Sequence, residues 1–277
     1  MQTVPIQMPD GSTVPVSLFP GEGRDDAPVI VVLPGLGIPG GYYRLFAEAL
    51  VARGFQAAIG DLRGQGDSVP KPSSASRYGY QELVSVDFPA IFEVVREQFP
   101  AATPYLLGHS MGGQLGSMYA ARIRGRLGGL ILVASGSPYH RGFGTSRGVP
   151  LYVGAAAMAI TSSIAGFWPG DRIGIGGFGR QSRVLIDDWS RFARTGSIEP
   201  AGADMDYEER MGRLTLPVLA VTIEGDDLAP RGSMDNLVRK LANADVTSVH
   251  VDEPLGHNGW IRNPTAVADL VAEWMHK

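Results

Sequence analysis

Short apolar runs alternate with longer amphipathic segments along most of the chain. Runs rich in branched side chains, each short enough for a strand buried on both faces, occupy residues 28–33, 54–59, 105–107, 130–134, 218–223 and 246–251. Segments that predict helices follow these runs at residues 42–53, 80–98, 112–124, 233–241 and 265–276. Strands that alternate with helices predict a mostly parallel, doubly wound sheet of the α/β class.

Two local signals interrupt this alternation in the first third of the chain. Residues 3–8 and 13–19 flank Asp10-Gly11, a dipeptide typical of tight turns, and therefore predict a β-hairpin. Pro89 predicts an interruption of the helix over 80–98, because proline lacks the amide hydrogen that a helix interior uses.

A larger departure covers residues 138–213, which contain no good strand and much glycine and aromatic character. We expect this block to be an insertion that caps one end of the sheet. The predicted domain organisation is therefore an α/β core made of residues 1–137 and 214–277, with residues 138–213 as a cap or lid.

Within that block, the run from Gly148 to Gly170 has no charged residue and approaches the length of a membrane span. Its glycines, its two prolines and its position in the middle of the chain favour a mobile apolar cap over a pocket. No stable membrane span is predicted.

Composition and charge exclude several functional classes. A net charge of −4 builds no basic face for nucleic acid. The absence of cysteine excludes thiol catalysis and cysteine-ligated metals, and we expect neither a metal nor a cofactor. The first residues show no signal-peptide pattern, so a cytoplasmic location is predicted, with a monomer or homodimer as the assembly.

Two serines lie in the pattern Gly-x-Ser-x-Gly, and their context separates them. Ser110 follows the apolar run 105–107 and precedes the helical segment 112–124, as a nucleophile elbow requires. Ser146 has no strand before it, and Pro150 follows closely. The sequence therefore predicts Ser110 as the nucleophile.

A general base for Ser110 has to come from one of five histidines. His257 stands between the apolar run 246–251 and the last helical segment, in a predicted loop whose neighbouring glycines let the imidazole reach over the sheet. His109 is predicted to pack away from the site, and His250 and His276 to be structural or solvated.

The partner acid is less determined by the residues alone. No carboxylate follows the run 130–134 until Asp171, whereas Glu224, Asp226 and Asp227 follow the run 218–223 directly. One carboxylate is enough to orient an imidazole and stabilise its protonated form, so these residues leave the choice among them open.

The chain resembles the α/β-hydrolase superfamily, in its serine aminopeptidase and monoglyceride lipase-like branch. The motifs that carry the resemblance are Pro34–Gly37, Tyr42–Ala47, Asp61–Ser68, Gly108–Gly113 and Gly256-His257. The ending from Gly256 to Arg262 is also similar to that of uncharacterised predicted bacterial hydrolases with a Gly-His-x-Gly-φ-φ-Arg motif, where φ is apolar.

The resemblance implies an α/β-hydrolase fold with its catalytic residues in the chain order Ser, acid, His, which agrees with Ser110 and His257. In the bacterial group the acid lies four residues before a proline, which favours Asp226 ahead of Pro230. The family's oxyanion hole uses backbone N–H groups that correspond here to Leu36 and Met111.

These residues predict a serine hydrolase, above all a carboxylesterase for small to medium hydrophobic esters. A lipase, thioesterase or peptidase on the same fold is an alternative, as is a non-catalytic binding protein. The expected partner is a small acyl substrate, which we expect His140, Tyr43 and Trp168 to contact.

Overall fold

An eight-stranded sheet forms the centre of the molecule, in a computed structural model that describes residues 1–21, 23, 25–123, 125–173 and 178–276. The strands in chain order, two of which form a separate small ribbon, are β1 Gln2–Gln7, β2 Thr13–Phe19, β3 Val29–Leu33, β4 Gln56–Gly60, β5 Pro104–His109, β6 Leu130–Val133, β7 Phe167–Pro169, β8 Arg180–Ser182, β9 Pro217–Ile223 and β10 Asp245–Val251.

The order of the strands in the large sheet is β1-β2-β4-β3-β5-β6-β9-β10. From β4 to β10 neighbouring strands run parallel, whereas β2 pairs antiparallel with both β1 and β4. The central strand β3 is fully buried, as expected for a parallel strand with helices on both faces. Since β5 lies between β3 and β6, the turn after β5 opens at the middle of the sheet.

Helices cover both faces of this sheet. In chain order they are α1 Arg44–Val51, α2 Tyr80–Glu82, α3 Phe88–Gln98, α4 Met111–Ile123, α5 Gly144–Ala165, α6 Gly170–Ile173, α7 Arg183–Thr195, α8 Tyr207–Gly212, α9 Arg231–Val238, α10 Gly256–Arg262 and α11 Thr265–Met275. Buried residues of α1, α10 and α11 form the core on one face, and those of α3, α4, α8 and α9 form the core on the other.

The predicted hairpin and the predicted alternation of strands and helices are confirmed. Pro89 does not end the helical run, in which it is the second residue of α3. A π-helical turn over Leu83–Asp87 instead joins α2 to α3, so the winding of the helix changes just before the proline.

The segment between β6 and β9 is more regular than the sequence predicted. It contains the 22-residue helix α5, the helices α6, α7 and α8, and the antiparallel ribbon of β7 and β8, so the expectation of no strand is wrong. Residues 174–177 of this segment lie outside the described residues. Helix α5 packs chiefly on α7, and residues 138–213, predicted as a cap, keep the name cap below.

In the part of the chain that the structure describes, one helical segment, His140–Ala165, is long and apolar enough to cross a membrane, with a mean hydropathy of 1.5. Only 17% of its most apolar stretch is buried. Val153, Ile160 and Ile164 are among its exposed side chains. A single helix of this kind is weak evidence for a membrane span, and Leu151, Ala155 and Met158 on its inner side line a cavity of the protein.

Candidate active site

The turn between β5 and α4 holds Ser110 in a left-handed backbone conformation, with a φ of 53°. Glycine is required on both sides of this turn. A Cβ on Gly108 would lie 2.3 Å from Gly113 Cα, and a Cβ on Gly112 would lie 2.2 Å from the carbonyl oxygen of Leu33. The close approach of strand and helix thus explains the glycines of the motif and lifts Ser110 to the end of the sheet.

Ser110, His257 and Asp226 form one hydrogen-bonded row. His257 Nε2 lies 3.0 Å from Ser110 Oγ, and His257 Nδ1 lies 2.9 Å from Asp226 Oδ1 and 3.0 Å from Oδ2. The nucleophile–base and base–acid distances are those of an assembled catalytic triad. The structure therefore brings together the three residues that the sequence predicts as catalytic.

The choice between the neighbouring carboxylates is decided by the turn after β9. Asp226 is 6% exposed, and its Oδ1 accepts the backbone N–H groups of Leu228 and Ala229. Asp227 points to solvent and forms an ion pair with Arg147. Only Asp226 of these two contacts the imidazole, in agreement with the resemblance.

His257 does not lie in a loop, as the sequence predicted, but in the first turn of α10. Gly256 precedes it with a φ of +60°, and the Gly256 N–H donates to the carbonyl of Glu224. This bond ties the start of α10 to the turn that carries Asp226. His257 and Asp226 are thus held by adjacent, connected segments.

The two backbone groups predicted for an oxyanion hole lie beside Ser110. Leu36 and Met111 both line the cavity at Ser110, and within the described residues neither N–H group donates a hydrogen bond. Met111 begins α4, so its N–H also lies at the positive end of a helix dipole. Two free donors next to Ser110 suit a developing oxyanion.

Side chains of the segment after β4 accept hydrogen bonds from the glycine-rich loop that contains Leu36. Gln65 Oε1 accepts the N–H of Gly37, and Asp61 Oδ1 accepts the N–H of Gly40 at 2.5 Å. Asp61 also accepts the N–H of Asp67, and burial raises the pKa of its carboxyl. These contacts assign the Asp61–Ser68 motif a structural task, which is to hold the loop in place.

A cavity of about 400 Å³ opens at Ser110 and His257. Most of its wall is apolar. The apolar residues that line it include Leu36, Pro138, Phe143, Leu151, Met158, Phe178, Trp189 and Leu228. Gln114 is polar, but its amide is used by Tyr80 and the carbonyl of Gly136. Among the described residues, no Asp, Glu, Lys or Arg lines this cavity.

The three side chains predicted to contact substrate lie away from this wall, and these predictions are corrected by their positions. Tyr43 is fully buried in the core on the α1 face of the sheet. His140 packs against the rings of Tyr139 and Tyr152, outside the cavity wall. Trp168 is 3% exposed inside the β7–β8 ribbon.

Other cavity residues were missed by sequence reasoning. Met158, Trp189 and Gln114 face the cavity from α5, α7 and α4. Gln114 lies four residues after Ser110, one helical turn along α4, which is a signal that the sequence contains. Met158 and Trp189 belong to the cap, whose helices the sequence pattern did not predict. Ser146, the second motif serine, is exposed in the first turn of α5.

Comparisons with known proteins agree with this architecture. A family model described as the alpha/beta hydrolase fold matches residues 28–153. A proline iminopeptidase from Chitinophaga pinensis is 33% identical over 118 residues, which are 41% of this chain and 38% of that protein. The match thus spans well under half the length of this relative.

Solved structures match over nearly the whole chain at low identity. An esterase from Exiguobacterium antarcticum aligns with a TM-score of 0.70 and 18% identity, over 99% of each chain. A thermophilic esterase from Thermogutta terrifontis aligns with a TM-score of 0.63 and 18% identity, over 100% of this chain and 98% of its own. The chain has the α/β-hydrolase fold, and residues 28–153 match the family model described by that name.

Proposed function

We propose that this protein is a serine hydrolase that cleaves carboxylic esters with a hydrophobic group, through an acyl-enzyme on Ser110. The observation that carries the proposal is the row of Ser110, His257 and Asp226 at the floor of an apolar cavity. Esterases occur among the proteins of similar fold, and the chain departs from the superfamily's catalytic pattern at none of these three positions.

In the proposed mechanism His257 Nε2 takes the proton of Ser110 Oγ as the oxygen attacks the ester carbonyl. The Leu36 and Met111 N–H groups donate to the oxyanion that forms, and Asp226 stabilises the imidazolium. His257 then returns the proton to the departing alcohol. A water molecule then gives a proton to His257 and attacks the acyl-enzyme. The carboxylic acid product leaves as His257 returns this proton to Ser110.

The cavity wall favours an uncharged, apolar substrate. An aminopeptidase has to hold a substrate ammonium group, for which a carboxylate near the scissile bond is the ordinary partner. Asp226 is buried against His257 and the turn amides, and the described cavity wall has no carboxylate. This lining favours ester cleavage over the peptidase activity named for the Chitinophaga relative.

The test combines active-site labelling with a substrate panel. A fluorophosphonate probe is expected to label Ser110 of the wild type and not the Ser110→Ala variant. A series of p-nitrophenyl esters of increasing chain length is expected to be hydrolysed faster than a proline-p-nitroanilide and a thioester. Turnover of esters should fall by about 10⁴–10⁶ in kcat in Ser110→Ala.

Each other outcome contradicts a definite part of the proposal. A preference for the anilide or the thioester would replace the ester as substrate class. A folded wild type that neither takes up the probe nor turns over any of these compounds would exclude the serine hydrolase itself, and would favour a binding protein on the same fold.

A further inference from the structure

His109 and Tyr43 form a buried pair on the face of the sheet that α1, α10 and α11 cover. His109 is the last residue of β5, next to Ser110, and its side chain is fully buried, as is that of Tyr43. His109 Nδ1 lies 2.6 Å from Tyr43 Oη. Trp260 of α10 packs its ring edge-on against both, with centroid distances of 5.2 Å and 6.2 Å.

The pair touches both halves of the proposed catalytic machinery. Tyr43 Oη accepts the N–H of Gly35 at 3.0 Å, in the loop that carries the Leu36 donor. His109 Nε2 lies 3.0 Å from the backbone carbonyl oxygen of His257. One continuous row of hydrogen bonds therefore runs from the oxyanion loop, beneath Ser110, to the residue proposed as general base.

The direction of every bond in this row follows from the groups present. A carbonyl oxygen can only accept, so His109 carries its hydrogen on Nε2 and donates to His257. Its Nδ1 then offers a lone pair, which accepts the hydroxyl hydrogen of Tyr43. The Tyr43 oxygen is left to accept the Gly35 N–H. All donors in the row are satisfied only when His109 is a neutral imidazole with this tautomer.

The surroundings keep His109 neutral. Burial, together with the neighbouring His257, holds the pKa of His109 well below its usual range. The two imidazole rings are 4.8 Å apart, so a charge on His109 would oppose the charge that His257 gains during the proposed reaction. A neutral His109 can therefore anchor the His257 backbone without opposing protonation of its ring.

We propose that His109 and Tyr43 are positioning residues of the hydrolase, which set the oxyanion loop and the His257 backbone relative to Ser110. This rests on the proposed function. A small displacement of either half is costly in such a site, because attack and proton transfer need reacting atoms held at hydrogen-bond distance. The histidine of the nucleophile motif thus acts through His257, away from the substrate.

The pair is tested by variants that remove one hydrogen bond and keep the packing. Tyr43→Phe removes only the hydroxyl, and should lower kcat on a p-nitrophenyl ester by about 10- to 100-fold while KM changes by less than about 3-fold. The rate of fluorophosphonate labelling should fall in the same proportion. Tyr119→Phe removes a hydroxyl from another buried ring, which contacts Phe88 and Phe92, and should leave both rates unchanged.

A second pair of variants tests whether kcat depends on the hydrogen bond from position 109 to the His257 carbonyl. Gln at position 109 can donate from a similar place to the His257 carbonyl, whereas Leu cannot. His109→Gln should retain kcat within about 5-fold of wild type, and His109→Leu should lose about 10- to 100-fold at a similar KM. Circular dichroism and thermal melting identify the folded fraction, to which all rates are normalised.

Two results would overturn the proposal. Wild-type kcat and labelling rates in folded Tyr43→Phe and His109→Leu would show that the pair only packs. Equal losses in His109→Gln and His109→Leu would show that the bond to His257 is irrelevant. Failure of the proposed function is distinct, because the wild type itself would then neither label nor turn over an ester.

Discussion

Ser110 takes a left-handed backbone conformation, which costs free energy and persists only because its surroundings enforce it. The Ser110 N–H donates to the carbonyl of Val133, and the carbonyl of Ser110 accepts the Gly113 N–H and the Ser135 hydroxyl. Because the strained turn raises Oγ above the ends of the strands, the same geometry gives His257 access to the hydroxyl. Strain in this turn is thus tied to the placement of the atoms proposed to be catalytic.

Asp226→Asn tests the role of the proposed acid. The side-chain oxygen of the new amide can still accept the two turn N–H groups, but its NH₂ group would face His257 Nδ1 and favour the wrong tautomer. We expect kcat for an ester to fall by about 10³–10⁴ with little change in the melting temperature. Asp227→Asn is the matched control, because Asp227 pairs with Arg147 at the surface, and its kcat should stay near the wild-type value.

Equal activity in the two variants would remove Asp226 from the mechanism. Residue patterns alone could not separate these neighbours, because both are acidic and both follow β9 in a turn. Gly225, with a φ of +75°, directs Asp226 inward and Asp227 outward. That direction depends on backbone conformation, which one-letter spacing does not reveal.

The same limit applies to His109. The sequence predicts that it packs away from the site, and the structure indeed buries it on the face of the sheet that α1 and α10 cover. Its contacts come from Tyr43, which is 66 residues earlier in the chain, and from His257, which is 148 residues later. Contacts at such separations leave no periodic signal in a single sequence.

At the scale of helices and strands, hydrophobic periodicity predicted most of the sheet and its covering helices. It failed in the cap, because α5 contains Pro150 and several glycines and has no polar face to mark its period. It also failed at α10, a seven-residue helix with two glycines. Burial of Trp260 and Ile261 against the core stabilises that helix in spite of its low intrinsic propensity.

Helix α5 offers a test of which face determines substrate size. Met158 lines the cavity, whereas Ile164 is 83% exposed on the same helix. Met158→Trp should shift the preferred ester toward shorter chains and raise KM for the longest accepted ester by about 10-fold or more, because the larger ring fills the cavity. Ile164→Trp should leave the chain-length profile unchanged.

Chain-length series in both the acyl and the alcohol part are needed for this measurement. A profile that is unchanged by Met158→Trp in both series would mean that substrates do not occupy the cavity under α5. A profile that Ile164→Trp changes as strongly would mean that the variants act through the fold of the cap and not through the cavity wall.

At the scale of the whole molecule, a buried carboxylate joins the cap to the core. Asp188 of α7 is 4% exposed; its Oδ2 accepts the N–H of Tyr80, and its Oδ1 accepts the N–H of Ala201. Desolvation outweighs these two bonds and raises the pKa of Asp188 from 3.8 to about 6. The folded protein therefore holds a proton here over a pH range in which the unfolded chain has lost it.

The sign of the resulting pH dependence follows directly. Since the pKa of Asp188 is higher in the folded state, its contribution to the free energy of unfolding falls as pH rises from about 4 to about 6. Wild type should lose on the order of 1–3 kcal/mol relative to Asp188→Asn across this range. Urea unfolding at about pH 4.5 and at about pH 7 measures how the free energy of unfolding of wild type differs from that of Asp188→Asn.

Asp187→Asn is the matched control, because Asp187 is the partly exposed neighbour that pairs with Arg183 on the same helix. Unfolding of this variant under the same two conditions shows the effect of replacing a carboxylate by an amide elsewhere on α7. If the stability of Asp188→Asn and wild type changed in parallel with pH, the buried carboxyl would not be the titrating group.

The order of the proposed catalytic residues along the chain also has a consequence for folding. Ser110 and His257 are 147 residues apart, and His257 follows β10, which pairs with the sheet only through β9. His257 can therefore reach Ser110 after β9, β10 and α10 have docked, whereas β3, β4 and β5 can pair before that. Recovery of ester hydrolysis during refolding should therefore lag behind recovery of sheet structure. During synthesis, a chain that ends before His257 would carry Ser110 as an ordinary, unreactive alcohol.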